Sequence, residues 1–215
     1  MEENNNLTAE RSLEIIRKSI EQSRRDMVKN AGSPLIAWGI LVALTAWLVG
    51  LLVKHTGTPF WYFLWFPMMF LGFGINHYIN KRFHVRPRSI IGDIVGYVWL
   101  SFGIISMAIP LVMYTAKHWA WHYFSQQYAP DEILKMPIIH FPVTTVIVIM
   151  LGLCTTITGF VLKDNWIKAG GIMAAIGGAV LATIYGQQNM QVISFVAVVG
   201  LLVPGIIMNL KYRKA

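Results

Sequence analysis

Two histidines four residues apart, His118 and His122, come nearest in this chain to a metal-binding pattern. On a helix such a pair shares one face and could hold one ion from two sides. His55 and His140 fall on the same side of the apolar segments, and Asp131 and Glu132 could add oxygen ligands. A zinc or copper site is therefore one reading. Interfacial packing of a Trp-rich segment is the other. His77 and His140 lie at opposite ends of their segments and do not pair within a leaflet as two haem ligands would. Asp93 is the one acid inside an apolar segment. A carboxylate at membrane depth could serve a proton, an ion or a substrate. In the first turn of a helix near Arg86 and Arg88, it equally suits the helix dipole. Asn76, His77 and Asn80 make a polar cluster at the end of the second apolar segment. No phosphate loop, Ser-His-Asp grouping, HExxH motif or carboxylate pair is present, so an enzyme is neither assigned nor excluded.

The elements carrying these residues are apolar. Hydrophobic residues make up 55% of the chain, and charged residues 13%, against about 25% in a soluble domain. Six stretches approach the roughly 20 apolar residues that a spanning helix needs. They lie at about 34–53, 60–79, 90–115, 137–162, 167–186 and 191–210. The chain therefore reads as an all-α integral membrane protein, with an amphipathic arm over 1–33 and a six-helix transmembrane domain over 34–215. No acid or base lies near the centre of any span, which counts against an ion-coupled pump built on a carboxylate or lysine. Cys154 is the single cysteine and lies inside a span, so no disulfide framework exists. Met1 to Asn30 lacks a signal-peptide pattern, and the first span is expected to act as an uncleaved insertion signal.

Charge orients the spans. Arg11, Arg17, Lys18, Arg24, Arg25 and Lys29 precede the first; Lys81, Arg82, Arg86 and Arg88 follow the second. Lys163, Lys168, Lys211, Arg213 and Lys214 edge the last three. That places fifteen of the eighteen basic residues on one side, leaving Lys54, Lys117 and Lys135 on the other. Basic residues near span ends stay cytoplasmic, so both termini are predicted inside, which requires an even number of spans. The net charge of +8 thus reflects topology. No recognition fold accompanies it, and nucleic acid is excluded as a partner. Trp61, Tyr62, Trp119, Trp121 and Tyr123 are expected at the outer interface and Trp166 at the inner one.

Thr8 is predicted to cap an arm helix starting at Ala9, with Leu13, Ile16, Ile20 and Met27 on its apolar face and Arg17, Lys18, Arg24 and Arg25 elsewhere. Gly32-Ser33-Pro34 is expected to break it before the first span. Repeated Gly-containing endings, at Leu71-Gly72, Leu151-Gly152 and Val199-Gly200, suggest three two-helix hairpin repeats. Gly170, Gly171, Ala174, Ala175, Gly177, Gly178 and Ala182 mark the fifth span for the packed centre, and the second span is expected at the periphery. Thr144, Thr145, Thr155, Thr156 and Thr158 give the fourth span a polar stripe that could line a path or bond back to its own helix. Pro110, Pro142 and Pro204 are expected to kink their helices.

Leu13-Glu14-Ile15-Ile16, Pro34-Leu35-Ile36-Ala37-Trp38-Gly39, Gly57 to Phe66 and Gly96-Tyr97-Val98-Trp99-Leu100 carry a resemblance. Over roughly its first half, the chain resembles a group of small uncharacterised six-span membrane proteins of Bacteroides-like bacteria. The resemblance implies a bacterial cytoplasmic (inner) membrane location and transfers no active residue or cofactor. Three functions stay open. The leading one is a regulatory, sensory or scaffolding bundle acting through protein or lipid contacts. The others are a small-molecule, ion or lipid transporter and a metal- or haem-binding membrane protein. The partner classes are membrane lipids, a second copy of the chain and a cytoplasmic protein at the N-terminal helix.

Overall fold

The computed structural model describes residues 2–83, 90–136, 141–186 and 190–213; the side chains of 2–8, 76, 79, 80, 82, 83 and 213 fall outside the description. Among the described residues every regular element is a helix. α1 runs over Glu2–Thr56, a 3₁₀ turn over Pro59–Leu64 and α2 over Trp65–Phe83. α3 covers Ile90–Phe124 and a one-turn α4 covers Pro130–Ile133. α5 (Val143–Leu162) and α6 (Asn165–Tyr185) form a tight hairpin. The last rod is α7 (Met190–Ala197), a π turn (Val198–Leu202) and α8 (Val203–Arg213).

Among the described residues, five helices are long and apolar enough to cross a membrane: those covering Ala9–Thr56, Ile90–Phe124, Val143–Leu162, Asn165–Tyr185 and Met190–Tyr212. The chain has the make-up of a multi-pass membrane protein. The expected span at 60–79 differs from the other five. Its apolar helical part, Pro59–Ile75, is shorter and begins as a 3₁₀ turn. Pro59 stands at its first turn, where the missing N–H has no partner to lose.

Seam residues explain the packing. On α5, Thr144, Val148, Leu151, Thr155, Thr158 and Leu162 are buried at alternating spacings of four and three, the pattern of a helix that faces partners along one stripe. α6 answers with Ile167, Gly171, Ala174, Gly178 and Ala182. Small residues let the backbones meet. A Cβ on Gly152 would lie 2.6 Å from the Gly171 carbonyl oxygen, and one on Gly159 would lie 2.5 Å from the Lys168 nitrogen. The fifth span is thus closely packed as expected at Gly170, Gly171 and Gly178, but Gly177 faces open space. On the other side, α1 buries Leu35, Val42, Ala46 and Val49 against the last rod. There a Cβ on Gly39 would come 2.8 Å from Leu202 N, and one on Gly205 3.0 Å from Ile36 N.

α3 docks on α5 through Trp99, whose Nε1 donates to Thr158 Oγ1 at 3.2 Å. α2 is peripheral, as expected. It meets α1 where Gly72 admits Trp38 and Leu41, and where Phe73 stands edge-on to Trp38 at 5.4 Å. The packing does not repeat hairpin by hairpin. The closest pair, α5–α6, straddles two of the expected hairpin units, and α1–α2 meet over a much smaller area.

Two helix boundaries correct the sequence reading. The helix already runs at Glu2, so Thr8 lies inside it and is no cap. Gly32-Ser33-Pro34 does not break it either; arm and first span are one helix of 55 residues. Pro34 removes one i→i−4 bond, but Met27 and Val28 before it and Leu35 after it are all buried, so both halves are held in line. Pro110 likewise lies within uninterrupted α3, and Pro142 precedes α5. Pro204 lies in the last rod. It follows a π turn, which accommodates the missing donor, and its ring fills the space over Gly170.

Candidate functional site

The outer histidines stay apart from other ligands. His118 and His122 are both exposed on α3, beside a stacked Trp119–Tyr123 pair with ring centroids 5.3 Å apart. Among the described residues, no three His, Cys, Asp or Glu side chains converge as a metal site. His55 is exposed at the end of α1, Asp131 and Glu132 are exposed on α4, and His140 lies outside the described residues. Asp93 is exposed in the first turn of α3, the position expected from the sequence; Arg86 and Arg88 lie outside the description. His77 is exposed on α2, while the Asn76 and Asn80 side chains are not described. Among the described residues, these candidates are not joined into one site. Where its bonds are seen, the threonine stripe bonds back to its own helix. Thr155, Thr156 and Thr158 donate to the Leu151, Gly152 and Cys154 carbonyls of their own helix.

A different polar assembly occupies the end where α1, the α5–α6 turn and α8 meet. It begins with the turn itself. Lys163 N–H donates to the Phe160 carbonyl and Asp164 N–H to the Gly159 carbonyl at 3.0 Å, closing a Schellman cap with Lys163 left-handed at φ 55°. Asp164 then starts α6. Its Oδ1 accepts from Trp166 N at 2.9 Å and Ile167 N at 3.1 Å, satisfying two donors of the first turn. The carboxylate is 3% exposed, and its Oδ2 lies 4.0 Å from Lys211 Nζ on α8. A buried negative charge is tolerable because it caps a helix and faces a cation.

Arg24 brings in α1. Its Nη1 donates to the Leu162 carbonyl at 3.1 Å, one of the carbonyls left open at the end of α5. Its Nε donates to Glu21 Oε2 at 3.0 Å, and Nη2 pairs with Oε1. Arg25 approaches Glu21 at 3.5 Å. The hydrogen bonds from Arg24, against a smaller opposing effect of burial, hold the Glu21 carboxyl down to about 2. A depressed carboxylate stabilises the native state above its ordinary range, so this pairing is complete at neutral pH and is lost only as pH falls towards 2. Glu21 in turn raises Arg24.

Sequence reasoning passed over Asp164 and Arg24. Asp164 had a visible signal, a polar Lys-Asp-Asn break between two apolar runs, with the acid at the start of the second. Arg24 had none, because nothing local marks which arm cation reaches α5. The left-handed residue also yields a prediction. Glycine suits that backbone better than lysine, so Lys163→Gly should raise unfolding stability by about 1 kcal/mol. A midpoint unchanged or lowered in detergent melts would rule this out. The chain matches no protein-family model, no curated protein and no solved structure, so its functional reading rests on this geometry.

Proposed function

We propose that the chain is a six-span bundle of the bacterial inner membrane, with both termini cytoplasmic, that regulates, senses or scaffolds through protein or lipid contacts of its N-terminal arm. The observation that carries this reading is the continuity of α1: span and arm are one helix, fixed to the bundle end by Arg24. The proposed second span is the 3₁₀ turn plus α2. Their apolar part, Pro59–Ile75, rises about 28 Å, close to the thickness of a hydrocarbon core of about 30 Å. The one-sided distribution of basic residues supports the same even count.

The test is topology. In a Cys154→Ser background, single cysteines at Thr58, Gln127 and Gln22 would be labelled with a membrane-impermeant maleimide on intact spheroplasts. Thr58→Cys and Gln127→Cys are expected to react from outside, and Gln22→Cys only after lysis. If Thr58→Cys and Gln127→Cys prove to lie on opposite faces, α2 does not cross and the six-span reading fails. Outside labelling of Gln22→Cys would remove the cytoplasmic arm.

A further inference from the structure

We propose that the corner between the arm and the α5–α6 turn is a seat for an acidic amphipathic helix of a cytoplasmic partner protein. This rests on the arm being cytoplasmic. One wall of the corner is apolar: Leu13, Ile16 and Ile20 line it, at i, i+3 and i+7. They are 67%, 54% and 43% exposed. That spacing is the anchor pattern by which one helix receives another. Arg17, Arg24 and Lys163 border the same corner. Glu21, the one acid there, is already neutralised by Arg24 and Arg25. The corner is thus net basic around an apolar strip, complementary to a helix with an apolar stripe flanked by carboxylates.

Two other occupants fit less well. A second arm carries the same excess of basic residues; between Ala9 and Asn30, Arg11, Arg17, Lys18, Arg24, Arg25 and Lys29 outnumber Glu10, Glu14, Glu21 and Asp26. A lipid would need hydrocarbon beneath it, whereas the corner is floored by the end of the chain's own α5.

The experiment uses the full chain in phosphatidylcholine nanodiscs. The probe is a fluorescent, stapled helical peptide with leucines at i, i+3 and i+7 flanked by glutamates; its twin carries lysines instead. Anisotropy should show the glutamate peptide binding at least about ten-fold more tightly than its twin. Arg17→Glu/Lys163→Glu should reverse that preference, and Ile16→Glu should abolish binding. Lys18→Glu, which lies outside the corner, should leave binding unchanged. All substituted positions are exposed, so these variants should fold. Equal binding of the two peptides, or indifference to Arg17→Glu/Lys163→Glu, overturns the proposal. So does an Ile16-dependent dimer mass without peptide binding, which would assign the corner to a second copy. Loss of binding in phosphatidylglycerol nanodiscs, with that lipid retained on native mass spectrometry, would assign it to lipid. Maleimide labelling of Gln22→Cys reads the arm's side separately, so failure here with an inward arm removes the seat alone.

Discussion

Gly171→Leu should split α5 from α6 and lower unfolding stability by about 3 kcal/mol or more. The reason is what a side chain would strike. A Cβ at Gly171 would sit 2.5 Å from the Thr156 nitrogen and 2.8 Å from the Gly152 carbonyl oxygen. Both are backbone atoms of the facing helix and cannot rotate away. The two helices must separate, and their seam from Thr144 to Leu162 loses its contacts with them. Gly177 is six residues further along the same helix but has nothing within 4 Å, so Gly177→Leu should change stability by less than about 0.5 kcal/mol. The protein carries its own reporter. Cys154 is the only cysteine, faces the Val98 carbonyl of α3 from α5 and is 7% exposed, so a thiol-reactive dye will register unfolding. Melting both variants in one detergent decides the matter: equal midpoints would mean that the close approach of α5 and α6 contributes nothing.

Asp164→Ala comes next in size, at about 1–2 kcal/mol. It strips two first-turn N–H groups of α6 of their acceptor and leaves Lys211 without its carboxylate. Lys211 is half exposed, so water takes over much of its solvation, and the cap should dominate the loss. Asp164→Asn separates the two contributions. The amide oxygen can still accept from Trp166 and Ile167 while the charge is gone, and the expected loss is below about 0.5 kcal/mol. If Asn proves as damaging as Ala in the same melts, the ion pair with Lys211, and not the cap, is what holds this corner.

The apolar runs disclosed the helical, membrane-type architecture because they are a local property of sequence. The small residues of α6 were also legible, since glycine clusters have one common use in helix pairs. Pro34 was misread for a reason that generalises. A proline removes one bond of a helix, but whether the helix stops depends on burial on both sides, here of Met27, Val28 and Leu35. The 3₁₀ start of the segment expected as the second span left no trace in hydropathy, which counts residues and not helix type. His118 and His122 share a helix as expected, but spacing on one helix could not say whether a third ligand arrives from another. The Arg24–Leu162 contact joins residues 138 positions apart and leaves no local trace.

The unbroken passage of α1 through Pro34 makes it a pointer. Helices that exceed the local hydrocarbon thickness lean over, and they lean further when the bilayer thins. Residues 2–23 extend about 33 Å past Arg24, so a change in lean of about 10° sweeps the far end sideways by about 6 Å. With the arm outside the membrane, as proposed above, a few ångströms of bilayer thickness become a lateral stroke of similar size that another molecule can read.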